Sequence, residues 1–117
     1  MTQPVLYGIK NCDTVRKARK WLDSEAIEYR FHDFREDALE LSKINDWLEQ
    51  VGSDTLLNRK STTWRQLSDQ QKQQAESSQL ATLLRDHPTL IKRPVLEYQD
   101  KINTGFSADT YQQLLAK

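Results

Sequence analysis

Val5-Leu6-Tyr7-Gly8-Ile9-Lys10-Asn11-Cys12-Asp13-Thr14 decides how this chain is read. Pro4 to Ile9 is mostly apolar and reads as a short strand, ended by the turn residues from Gly8 to Asn11. From Asp13 to about Glu25, Val15, Ala18, Trp21 and Leu22 recur at helical spacing, with Lys17, Lys20 and Ser24 on the other side. Cys12, the only cysteine of the chain, therefore falls at the first turn of a helix. Unpaired backbone N–H groups point outward there, and with the positive end of the helix dipole they favour thiolate over thiol. The thiolate is the nucleophilic form. Free cysteine is also among the most buried residue types, so this placement alone leaves nucleophile and inert filler both open.

Outward from this junction, Tyr29 to Phe34 alternates as a second strand, with Tyr29 and Phe31 on one side and Arg30 and His32 on the other. Strand, helix and strand in so short a stretch make a βαβ unit, whose two strands should run parallel. Ile44, Trp47, Leu48 and Val51 then mark a helix ending at Gly52, and a short helical turn is expected at Leu56 and Leu57. Ser68-Asp69-Gln70-Gln71 fits a capping box opening a further helix, broken near Ser77 and Ser78. Leu80, Leu83 and Leu84 carry the buried face on to Pro88, and the glutamines between Gln66 and Gln79 read as the solvated side. Pro94 to Tyr98, a turn at Gln99-Asp100-Lys101 and Ile102 to Thr104 read as an antiparallel hairpin. Ser107 can cap a last helix whose Tyr111, Leu114 and Leu115 pack inward. The order β-α-β, helices, β-β-α is that of an α/β thioredoxin-like fold, a mixed four-stranded sheet with a helical insertion between its halves. A single domain over residues 1–117 is expected, with the insertion at about residues 38–90.

Composition narrows the function. Lys and Arg number 17, as do Asp and Glu, so the formal net charge is zero. A general nucleic-acid binder would carry a basic excess, so no nucleic-acid partner is expected. No apolar run is long enough to span a bilayer, and the first residues lack the pattern of a signal peptide, so no membrane partner is expected either. One cysteine cannot form an intramolecular disulfide, and a reduced, cytoplasmic home is the expectation.

Around Cys12, Lys10, Asn11, Thr14, Arg16 and Lys17 lie within a turn and can favour the thiolate, Lys10 and Arg16 foremost, whereas Asp13 opposes it. Ile91-Lys92-Arg93-Pro94 directly precedes a strand. Local sequence favours a trans bond before Pro94. In a thioredoxin-like arrangement, however, the residue opening that strand is a cis-proline facing the nucleophile. Arg93 is then placed beside Cys12, where a guanidinium can grip a carboxylate or oxyanion. Leu57-Asn58-Arg59-Lys60-Ser61-Thr62-Thr63-Trp64-Arg65 gathers basic and hydroxyl groups in a loop that could line an anion site or simply be solvated. His32 and His87 lack the spacing of a metal pair, and no metal is expected.

Four segments, YGIKNCDTVRKARKWL, LLNRKSTTWRQL, LIKRPVL and GFSADTYQQLL, resemble in order and spacing the arsenate reductase-like family of ArsC, Spx and YffB proteins. The resemblance covers nearly the whole chain and is closest to the YffB-like branch. It implies a thioredoxin-like fold, a catalytic cysteine at Cys12 and a cis-proline at Pro94. The departures bear on function. The family's arsenate reductases carry a histidine four residues before the cysteine, where this chain has Gly8. Of their oxyanion-holding arginines, Arg93 matches one. Asn58 stands at another, with Arg59 or Lys60 as neighbouring substitutes, and a third falls near Gly105. The Spx regulators carry a Cys-x-x-Cys switch, whose second position here is Val15.

The resulting expectation is a glutathione-dependent monothiol reductase. Cys12 is its nucleophile, and glutathione, its co-substrate, is held by Lys10, Asn11, Arg59, Lys60, Arg93 and Pro94. A glutaredoxin or an oxidised thiol substrate is the further partner that the resemblance implies. Two alternatives stand beside this one: an Spx-like regulator or RNA polymerase-binding module without a redox switch, and a glutaredoxin-coupled arsenate reductase.

Overall fold

Four short strands form one mixed sheet in the order β2-β1-β3-β4: β1 (Val5–Gly8), β2 (Arg30–Asp33), β3 (Val95–Tyr98) and β4 (Lys101–Thr104). The structure, a computed structural model, describes residues 3–115; the outermost residues of the expected 1–117 domain lie outside the described residues. β1 pairs parallel with β2 and antiparallel with β3, so it lies inside the sheet and its apolar run is nearly all buried. β3 and β4 form the expected hairpin. Its turn is tighter than the sequence reading: only Gln99 and Asp100 lie outside the strands, both at positive φ, and Lys101 already pairs with Tyr98. This is the thioredoxin-like α/β arrangement expected from the element order.

Two compact units divide the chain, one holding the sequence up to Ala38 and again from Arg93 onward, the other Leu39–Lys92. The first unit contains the sheet, α1 (Asp13–Ser24) and α7 (Ala108–Leu115). Its core is Leu6, Ala18, Leu22, Leu96 and Tyr111, with Trp21 and Phe106 packed at its margin. The spacing of Val15, Ala18 and Leu22 gives α1 one buried stripe. Past its end, Ala26 N–H donates to the Asp23 carbonyl and Ile27 N–H to that of Leu22. Ala26 therefore adopts a left-handed φ of 56°, a place that usually belongs to glycine.

The second unit is helical: α2 (Leu41–Val51), α3 (Ser53–Leu56), α4 (Thr62–Gln66), α5 (Asp69–Gln74), α6 (Leu80–Asp86) and a 3₁₀ turn at Pro88–Leu90. Ile44 and Trp47 of α2 are fully buried, and α2 packs on α3 and α6. Gly52 closes α2 at φ 84°. The Ser68 capping box is formed as expected, with Ser68 Oγ and Gln71 Oε1 each accepting from the other residue's N–H. Three readings are corrected. Leu57 is extended rather than helical, because it bridges Ile91, with Asn58 N–H bonded to Leu90 and Lys92 N–H to Leu56. The run from Thr62, read as loop, is α4, begun by Ser61 Oγ accepting from Trp64 N–H. Beyond α6 the chain makes one further 3₁₀ turn, opened by Pro88, instead of stopping at the proline.

Candidate active site

β1 ends at Gly8, and three features meet at that end of the sheet. Gly8 pairs with Asp33, the last residue of β2. Tyr7 pairs with Val95, the first residue of β3, so Arg93 and Pro94 enter the sheet at the same end. The loop that leaves Gly8 delivers Cys12 to the start of α1. The carboxyl end of adjoining parallel strands is where α/β folds collect their ligands.

Cys12 is the N-cap of α1. Its backbone is extended, its carbonyl accepts from Arg16 N–H at 2.9 Å, and its side chain makes no capping hydrogen bond. The thiol is half-buried and free. The first-turn N–H groups of α1 therefore receive no hydrogen bond from the N-cap side chain.

The cations expected to support this thiol differ in how they are held. Lys10 Nζ reaches Glu36, at 3.1 Å from Oε1 and 3.3 Å from Oε2. The Arg16 guanidinium is paired with Asp13 and also donates to Asn11 Oδ1 at 3.3 Å. Arg93 is different. It is half-buried, and among the described residues it makes no hydrogen bond, ion pair or ring contact. The other half-buried cations are engaged: Arg19 with Tyr29 and Phe31, Lys72 over Trp64, Arg59 as described below, and Lys43 likewise has a partner. A guanidinium withdrawn from bulk water and without a counterion is suited to receive a carboxylate or oxyanion. The Arg93–Pro94 peptide bond is cis, the isomer the fold leads one to expect, and Pro94 is buried.

Arg59 and Lys60 belong to the other unit. Arg59 bonds Asp54 Oδ1 at 3.1 Å and Glu76 Oε1 at 3.2 Å, and lies over the Trp64 ring. Lys60 is exposed, with its backbone N–H bonded to Asn58 Oδ1 at 3.1 Å. His32 stacks at a tilt on Tyr7, and its Nε2 lies 3.1 Å from the Ala38 carbonyl. His87 caps the end of α6. Among the described residues no cluster of His, Cys, Asp or Glu could hold a metal. No helix of the described chain is long and apolar enough to cross a membrane.

Two features escaped the sequence reading. Asp33 is the one buried charged residue described, its Oδ1 accepting from Arg35 N–H at 2.7 Å, and Glu36 takes Lys10. The acidic run Asp33, Glu36, Asp37 just past β2 was the available signal, since it stands at the carboxyl end of a parallel strand. The second is a contact. A Cβ added to Gly8 would lie 2.8 Å from Val15 Cγ2 and 3.3 Å from Cγ1. Val15 is fully buried, and its branched side chain is stiff within a helix. Gly8, where the chain departs from the arsenate reductase pattern, and Val15, where it departs from the Spx pattern, are thus in packing contact: any side chain at position 8 must displace Val15.

The ArsC family model matches residues 7–114. The chain belongs to the ArsC family. It is 44% identical over 111 residues to an uncharacterized protein of Haemophilus influenzae, covering 95% of this chain and 97% of that one. The solved structure of a YffB protein superposes with a TM-score of 0.88 at 40% identity, covering 97% of this chain and all of that one. Across 114 residues, 96% of this chain and 86% of the relative, it is 26% identical to the global transcriptional regulator Spx of Listeria innocua.

Proposed function

We propose that this ArsC-family protein is a glutathione-dependent monothiol reductase with Cys12 as nucleophile. The observation carrying this reading is the half-buried thiol at the N-cap of α1, with Arg93 entering the same end of the sheet and holding no counterion among the described residues. Cys12 thiolate attacks the glutathione sulfur of a mixed disulfide, the substrate leaves as its thiolate, and Cys12 becomes glutathionylated. The chain has no second cysteine to resolve that bond. A glutathione thiolate then attacks the glutathione sulfur on Cys12, releasing glutathione disulfide and regenerating the thiolate. In net terms one glutathione thiol is consumed, the substrate is released as its thiol, and the disulfide passes to glutathione disulfide.

In this reading Arg93 receives a glutathione carboxylate, and Asn11 and Pro94 line its approach. Lys10 reaches the ligand only by leaving Glu36. Arg59 and Lys60 are assigned to glutathione by the family pattern alone, and Arg59 would have to exchange Asp54 and Glu76 for the ligand. Such a cycle needs a pool of reduced glutathione, which fits a cytoplasmic protein. Arsenate reduction is disfavoured, because the activating histidine and two of the three arginine positions are altered. The Spx similarity supports a regulator as second reading, without an intramolecular disulfide switch because Val15 stands at the partner position.

The test is glutathione-dependent reduction of a mixed disulfide of glutathione and 2-mercaptoethanol by wild type and Cys12→Ser. Turnover is expected for the wild type and none for the variant, with both folded by circular dichroism. Turnover retained by Cys12→Ser would overturn the assignment.

A further inference from the structure

Both backbone groups of Gly105 are committed. Its N–H donates to the Pro94 carbonyl at 2.9 Å. Its own carbonyl accepts from the Tyr111 hydroxyl at 3.2 Å and from Asn103 Nδ2 at 3.4 Å. Gly105 has φ 77°, where a side chain is strained, so the position serves through its backbone. Tyr111, on α7, is fully buried and stands edge-on to Phe106 at 4.9 Å and to Trp21 of α1 at 5.9 Å. One phenol thus touches the helix that begins at Cys12 and, through a single glycine, the residue that follows Arg93. Burial pushes the Tyr111 phenol far above its ordinary range, so it stays a hydrogen-bond donor at any working pH.

We propose that Tyr111, acting through Gly105, is a positioning residue that fixes the Arg93–Pro94 segment for anionic disulfides arriving at Cys12. The inference rests on the reading of Arg93 given above. A purely structural role for Tyr111 would tie α7 to the hairpin and affect every disulfide alike. A positioning role acts through the charge of the incoming molecule.

Stoichiometric capture separates the two. The rate at which Cys12 reacts with glutathione disulfide is compared with its rate toward neutral bis(2-hydroxyethyl) disulfide, by mass spectrometry on the full chain. Tyr111→Phe keeps the ring and removes only the hydroxyl. It should lower the ratio of anionic to neutral rates by about threefold to tenfold, the worth of one hydrogen bond. The neutral rate should stay within about twofold of wild type. Asn103→Ala should lower the ratio in the same direction by less, and it carries the test if Tyr111→Phe does not fold. Arg93→Ala should lower the ratio further, and Arg93→Ala/Tyr111→Phe no further than Arg93→Ala alone. A ratio unchanged in Tyr111→Phe but lowered in Arg93→Ala would overturn the positioning role alone. Equal slowing of both disulfides in Tyr111→Phe would make its role structural. A ratio unchanged in Arg93→Ala would remove the reading of Arg93, and this inference with it.

Discussion

Gly8 and Val15 show how much can turn on one missing carbon. The 2.8 Å approach means that Gly8→Ala must displace a stiff, fully buried side chain. A loss of about 1–3 kcal/mol is expected, as for other overpacked cores, and chemical denaturation would measure it. Gly8→Ala/Val15→Ala should lose less than the sum of the two single changes, because the second makes room for the first. Additive losses would mean that the contact does not govern the pair. At this scale the sequence was only partly readable. Cys12 stood out as the sole thiol at a strand-to-helix junction. That Lys10 and Arg16 are paired and Arg93 is not depends on Glu36 and Asp13 competing for them, and no spacing rule states which carboxylate finds which cation.

Among the elements, α1 was legible because its buried residues keep a helical period and an extended N-cap precedes them. α4 was hidden because its first turn, Thr62-Thr63-Trp64, offers no apolar stripe; a Ser61 cap and the Thr63–Thr89 hydroxyl contact hold it instead. Leu57 misled for a related reason, since its extended form answers to Ile91, thirty-four positions away by sequence numbering. The end of α1 carries a removable cost. Ala26 holds a left-handed conformation that disfavours any side chain by about 1–2 kcal/mol, and glycine's greater freedom when unfolded returns about half of that. Ala26→Gly should therefore stabilise the protein by about 0.5–1 kcal/mol and raise Tm by a few degrees. A lower Tm would mean that the turn holds Ala26 without strain.

For the whole molecule, the thioredoxin-like order was legible because the strands and the helices packed on them, α1 above all, carry their own periods and the turns between them carry their own residues. The roles of the two units were less so, since Arg59 and Lys60 looked available in sequence while Arg59 is occupied within its own unit. Formal neutrality also shapes the function. With no net charge to steer anions from a distance, the proposed preference for glutathione would rest on local groups such as Arg93. The decisive measurement is the rate at which glutathione disulfide glutathionylates Cys12 in the folded chain, set against the same chain unfolded in urea at the same neutral pH. Faster modification of the folded chain, reversed by reduced glutathione, is expected if the helix start activates the thiol and Arg93 receives the ligand. Slower modification when folded would show Cys12 to be sheltered filler and would contradict the proposed reductase.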